Sequence, residues 1–308
     1  MNTPSNAGLG LEAQAVAPAV LWPTRPLYWS IRRELWEYRS IYIAPLAAAG
    51  VFLLGFAISL IHLPHKMREI SGLDPARQHE LISQPYSFAA LLIMGSTFVV
   101  AFFYSLDALH GERRDRSILF WKSLPVSDVV IVLSKASVPL VILPLLTFAI
   151  SFVTEWIMFL MSAVVVSGSG FSVGALWSAL SLGRMLVTLF YHLLAIHALW
   201  YAPFYCWLLL VSAWARRMAF LWAVIPVLVL NALEKVALDT SLISHVVVER
   251  IWGGAEGAEH MVGHMAHDPL ATMAPGKFLS TPGLWIGLIF AAAFLAGAVR
   301  LRRHREPL

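Results

Sequence analysis

The sequence predicts an all-α integral membrane protein: six transmembrane helices, an amphipathic helix at the interface before the first, and a short cytoplasmic helix between the second and third. Three observations carry this. Of 308 residues, 59% are hydrophobic and 13% charged, with mean hydropathy +0.72, where a soluble domain is about half apolar and a quarter charged. The apolar residues fall into six stretches long enough to cross a bilayer, which takes about 20 residues each. The basic residues gather beside those stretches, on one side of the membrane, so the +4 net charge reports topology rather than nucleic-acid binding.

The elements follow in order. Residues 1–25 are rich in Ala and Pro, lack the basic start and apolar run of a secretory signal, and are expected to form a disordered tail. Residues 26–305 are expected to form one transmembrane domain. From Pro26 to Ser40, Tyr28, Ile31, Leu35, Tyr38 and Tyr42 recur at three-and-four spacing while Arg32, Arg33 and Glu37 fall elsewhere, as in an amphipathic helix lying along the interface. The spans are expected at Ile41–Leu63, Tyr86–Leu106, Ser137–Met161, Met185–Trp214, Phe220–Leu238 and Gly283–Leu301. The fourth contains Pro203, which predicts a tilt or kink. The single cysteine, Cys206, lies inside it and excludes an intrachain disulfide.

Orientation follows from Lys and Arg. With the N-terminus inside, the inner segments hold Arg25, Arg32, Arg33, Arg39, Arg113, Arg114, Arg116, Lys122, Lys135, Arg216, Arg217, Arg300, Arg302, Arg303 and Arg305. The outer segments hold only Lys66, Arg68, Arg77, Arg184, Lys235, Arg250 and Lys277. Both termini are therefore expected in the cytoplasm. Small residues recur at packing spacing in the last span (Gly283, Gly287, Ala291; Ala293, Gly297) and in the first (Ala47 to Gly50, then Gly55). In lipid such residues let helix backbones approach closely.

The turn after the second span is the most specific segment. Asp107 to Arg116 is dense in charge, and Ser117 to Leu124 has the length of two helical turns. Ser117 suits an N-cap, Pro125 ends the helix, and Ser127-Asp128 caps the next one. The apolar run Ile118-Leu119-Phe120-Trp121, flanked by Arg116 and Lys122, needs something to cover it outside the bilayer. A solvated basic loop would explain the arginines but not this run.

The segment Glu112-Arg-Arg-Asp-Arg-Ser-Ile-Leu-Phe-Trp-Lys-Ser-Leu-Pro-Val-Ser127, followed by Ser134-Lys135, resembles the ATP-binding-cassette (ABC) transporter permease, type-2 (exporter) family. Members commonly show an acidic residue here, a small-residue pair, an apolar helix, a Pro-Val-Ser ending and a later Gly-Lys. One departure is Arg116-Ser117, where many relatives have Gly-Thr, and it should stiffen the turn. The resemblance implies a coupling helix that docks an ATPase through Glu112, Arg116, Ser117, Ile118, Leu119, Phe120, Trp121, Lys122 and Pro125. It also implies two cytoplasmic ABC ATPase subunits per complex, a second permease copy in a homodimer, and a pathway lined by helices one, two and five. The expected home is the bacterial cytoplasmic (inner) membrane.

The chain is not expected to be an enzyme. It has no G-x-x-x-x-G-K-[ST] phosphate loop, and Gly276-Lys277 lacks its context. Neither catalytic residues nor a cofactor are expected on it, ATP and Mg belonging to the partner. Glu155, late in span three, reads equally as a structural residue or a substrate contact; Asn231 and Glu234, ending span five, read as an outer vestibule or the water boundary. His192 and His197, five apart, should fall on different helix faces, and Trp200, Trp207 and Trp214 on one. Between spans five and six, Thr240–Trp252 reads as a short apolar outer element, and His260, His264 and His267 with nearby Met residues form a low-ranking metal candidate. The preferred reading is an ATP-driven exporter of amphipathic lipids, drugs or peptides. The alternatives are a membrane anchor or sensor recruiting a cytoplasmic enzyme, and an ion-coupled secondary transporter.

Overall fold

The structure, a computed structural model, describes residues 24–70, 72–119, 126–168, 172–251 and 279–304. Residues 1–23 of the expected tail, Phe120 to Pro125 of the turn, and His260, His264 and His267 lie outside the described residues, while Thr24 and Arg25 already belong to the first helix. Among the described residues the chain is helical without a strand. In lipid a backbone that satisfies its own hydrogen bonds must be a helix or a closed barrel.

Helix α1 is Thr24–Glu37, α2 Ser40–Ser59, and a 3-10 turn at Leu60–His62 leads into α3, Leu63–Ile70. Then come α4 (Pro75–Asp107), α5 (His110–Arg114) and α6 (Asp128–Ser137), the last running through a π-helical turn, Val138–Ile142, into α7 (Leu143–Gly168). Helix α8 is Val173–Leu180 and α9 Leu182–His192, followed by a π-helical segment, Leu193–Trp200, and α10, Ala202–Trp214. The chain closes with α11 (Ala219–Leu238), α12 (Leu242–Ile251) and α13 (Pro282–His304). Six helical stretches are long and apolar enough to cross a membrane: Ser40–Ile70, Arg77–Arg114, Asp128–Gly168, Leu176–Trp200, Ala219–Leu238 and Pro282–His304.

The fourth stretch departs from expectation by breaking at Tyr201. Pro203 in the first turn of α10 supplies the reason, since its ring collides with the carbonyl four residues back. Its contacts still trace one bent passage. Leu182 and Met185 pack with Phe56, Tyr86 and Met158, Leu189 and Leu193 with Ala90, and Val211 with Leu106. The fifth matches its expected bounds to within one residue, and the remaining passages stay helical beyond theirs.

The central packing joins α2, α4, α6, α7 and α10 through Ile41, Ala101, Tyr104, Ala136, Leu143 and Tyr205. Helix α13 lies along α10 in the most extensive pairing of the molecule. There Gly287 and Ala291 of the expected row face inward, whereas Gly283 is exposed. Ala291 is buried with Ala202 and Cys206, and a side chain at Gly287 would collide with the Arg250 guanidinium. The glycines of α2 behave differently: among the described residues nothing lies within 4 Å of a Cβ built at Gly50 or Gly55. Long apolar side chains remain outside on α2 (Val51, Leu54, Ile58), α11 (Leu230, Leu233, Val236) and α13 (Ile286, Ile289, Phe290). In water such faces would drive association; in a bilayer they match the solvent.

Candidate functional site

One end of the bundle carries a buried ion cluster, built from four helices. On α1, Glu34 sits between the partly buried Ile31 and Leu35, so the apolar face carries its carboxylate inward. There it accepts from Lys135 Nζ of α6 at 2.9 Å and from the Tyr104 hydroxyl of α4 at 2.8 Å. Lys135, 1% exposed, also lies 3.1 Å from the Glu112 carboxylate of α5. Glu112 in turn accepts from Arg302 of α13 and has Arg33 at 3.7 Å. Arg302 Nε donates to Asp128 of α6 at 3.1 Å. Three acids (Glu34, Glu112, Asp128) thus meet three bases (Arg33, Lys135, Arg302), and at the more exposed edge Glu37 lies 2.8 Å from Arg33 and Arg303 4.0 Å from Asp128, which leaves the cluster formally neutral. Neutrality matters, because each buried charge without its partner costs several kcal/mol of desolvation, of the order of 3–5 when one member is removed.

A second set of bonds anchors the same turn to α10. Ser212 Oγ accepts from the backbone N–H groups of Leu109 and His110 at 3.0 and 2.9 Å. Arg113 donates to the carbonyls of Ala213 and Ala215 at 2.9 and 3.2 Å. These carbonyls end α10 and have no partner within the helix. Tyr38, between α1 and α2, donates to Asp107 at 3.2 Å and packs edge-on against Tyr104. Burial first, then the Asp107 carboxylate, hold its phenol well above the ordinary tyrosine value, so it stays a donor. Ser127 caps α6 as expected, accepting from the Val130 N–H at 3.3 Å.

The docking residues expected from the sequence separate into two groups. Glu112 and Ile118 are buried, Glu112 in the ion cluster and Ile118 at 1% exposed. They hold the turn rather than present a surface. Arg116 and Leu119 face outward with Ser117 half-buried between them, and residues 117–119 begin a helical turn. Arg116 itself takes a left-handed backbone, φ 58°.

Elsewhere the expected sites resolve as follows. Glu155 is buried on the polar seam of α7 that includes Ser151 and Ser162, the latter 3.3 Å from the Tyr86 hydroxyl. Glu234 caps α12: its carboxylate accepts from the Leu242 and Ile243 N–H groups at 2.6 and 2.7 Å and from the Thr240 hydroxyl at 2.8 Å. Asn231 is half-buried one turn before it. The expected outer element is present as α12, whose Arg250 lies 4.2 Å over the Trp200 ring and donates to the Gly283 carbonyl at 2.8 Å. The break at Tyr201 separates Trp200 from the expected tryptophan row, while Trp207 and Trp214 both meet α11 as one face. Trp200 meets Arg250, Trp207 donates to the Ala223 carbonyl, and Trp214 stacks edge-on against Trp222. His197 is buried beside Tyr205 at 3.4 Å. The π-helical stretch that carries it alters the expected face relation to His192, since i→i+5 bonding brings residues five apart toward line. Among the described residues no group of three His, Cys, Asp or Glu is arranged to hold a metal.

Of the clustered charges sequence reasoning placed only Glu112 in a site, and it missed Arg33, Glu34, Arg113, Asp128, Lys135 and Arg302 as members. The signal was present for two of them. Glu34 interrupts an apolar face, and Arg302 continues the inward row of Leu295 and Ala298 at helical spacing. What the fold and site define is a helical protein with six stretches long and apolar enough to span a membrane, fitting a multi-pass membrane protein. No protein-family model, curated protein or solved structure matches the chain.

Proposed function

We propose that this chain is the transmembrane permease subunit of an ATP-driven exporter of the ABC type-2 class, acting as a dimer with two separate ATPase subunits. The observation that carries the reading is the turn from Glu112 onward. Its base is clamped by a buried ion cluster to α1, α6 and α13, while Arg116 and Leu119 point out. Such a turn moves as one piece with both the first and last described helices, which suits a lever driven from outside the bilayer. The left-handed backbone at Arg116 adds support, because the resembled family commonly has glycine there, the residue that adopts it without strain. Lys135, standing where that pattern has its Gly-Lys, is the centre of the cluster.

In this reading the charged end faces the cytoplasm of a bacterial cell, both termini lie on that side, and the cargo is amphipathic. Cryptic catalytic chemistry is not required of the chain, since the partner binds and hydrolyses Mg-ATP. Purification of the full chain from its own membranes, followed by ATPase assay in lipid, tests the reading. Mg-ATP hydrolysis should accompany the wild type and be lost with Leu119→Asp or Trp121→Asp. A chain that brings no ATPase, or hydrolysis indifferent to both substitutions, overturns it. Recruitment of an enzyme without ATPase activity through the same turn would establish the anchor instead.

A further inference from the structure

Two grooves open beside the last turns of α13, of about 520 and 390 Å³, within the roughly 300–1,000 Å³ of small-molecule clefts. The larger runs between α6 and α13 and is walled by Leu133, Leu295, Ala296 and Val299. The smaller lies between α10 and α13, against Leu210, Gly297 and Leu301. Both share Arg300 and His304 at the rim, and Arg303 joins them over the larger.

Among the described residues the rim is cationic and only partly neutralised. Arg300 forms no ion pair with a described residue, and Arg303 reaches Asp128 only at 4.0 Å. Asp128 is already engaged by the buried Arg302 at 3.1 Å. The His304 ring turns back on the Arg300 carbonyl at 2.8 Å, which occupies one of the acceptors that end the helix. The remaining partial negative charge of a helix C-terminus is about half a unit, less than the full charges of Arg300 and Arg303.

The geometry points to a binding site for one anionic phospholipid, its phosphate held by Arg300, Arg303 and His304 and an acyl chain lying in the larger groove. A soluble anion would use the rim but not the four apolar walls. A neutral lipid would use the walls but leave the arginines unanswered. Basic pockets between membrane helices are suited to anionic head groups for this reason. The inference rests on the membrane fold and not on the exporter reading.

Native mass spectrometry of the full chain, stripped of lipid and then offered phosphatidylglycerol and phosphatidylcholine in equal amounts, is the test. The wild type should retain phosphatidylglycerol preferentially. Arg300→Gln with Arg303→Gln should weaken that retention roughly thirtyfold, about a factor of five for each surface arginine. Ala296→Trp, which fills the groove and spares every charge, should weaken it too. Arg216→Gln with Arg217→Gln removes the same charge beside Ala215, at the same end of the bundle, and should leave it intact. Equal retention of both lipids overturns the proposal, as does an unchanged Arg300/Arg303 variant. So does an equal loss in the Arg216/Arg217 pair, which would mean diffuse attraction, or displacement by inorganic phosphate at matched concentration.

Discussion

At Arg116 the backbone is left-handed, φ 58°, a conformation costing a residue with a Cβ about 1–2 kcal/mol. Removal of the side chain relieves the strain but loosens the unfolded chain, so Arg116→Gly should raise stability by at most about 1 kcal/mol. Arg116→Val, branched at Cβ, should lower it; unfolding of the purified protein in detergent reads both. Lys135 poses a larger stake. With its ammonium between Glu34 at 2.9 Å and Glu112 at 3.1 Å, Lys135→Met leaves two buried carboxylates facing one another. A loss of about 3–5 kcal/mol is expected in the same measurement; a change below about 1 kcal/mol would mean that water reaches the cluster. Glu234 shows how a residue's role depends on what folds over it. The sequence places it at the end of a span, as part of an outer vestibule or as the water boundary, and the structure makes it the cap of α12 through two backbone N–H groups.

Among the elements, α4 and α7 are joined by a buried hydrogen bond between Thr97 and Thr147 hydroxyls, 2.7 Å apart. Interhelical bonds of this kind average about 0.6 kcal/mol within membranes, because the separated helices find other partners. Thr147→Val should therefore cost about that much, and a double-mutant cycle with Thr97→Val isolates the term. The packing of α12 is more brittle. A Cβ at Gly287 would stand 1.8 Å from the Arg250 Nη2, so Gly287→Leu must expel the guanidinium from the Trp200 ring. Tryptophan fluorescence should report the change, alongside faster proteolysis within α12; an unaltered spectrum and cleavage pattern would show that Arg250 does not hold this helix. The spans themselves were legible in the sequence because a run of apolar residues needs no partner to declare itself. The break at Tyr201 was signalled by Pro203, but the π-helical turns were not, since they arise from how backbone carbonyls are re-satisfied within the packed bundle.

For the whole molecule, six stretches are long and apolar enough to cross a membrane, and six crossings would put the ends of the described chain on one side. Cys206 is fully buried, so the wild type should resist a membrane-impermeant maleimide on intact cells. Single cysteines placed at Arg68 and at Arg303 should then differ, the first labelled from outside and the second only after the membrane is opened. Labelling of both from the same side would break the six-passage topology. The same view explains which parts of the candidate site escaped sequence reasoning. Glu34 meets Lys135 across 101 positions, and Arg302 meets Glu112 across 190. No local pattern announces such a pairing. The sequence by itself determined that the chain fits a multi-pass membrane protein and where its six long apolar stretches lie, because hydropathy, proline and charge act where they stand. Only the tertiary structure decided that Glu112 and Ile118 turn inward while Arg116 and Leu119 turn out, because charges buried far apart in the chain must find one another or remain unpaired.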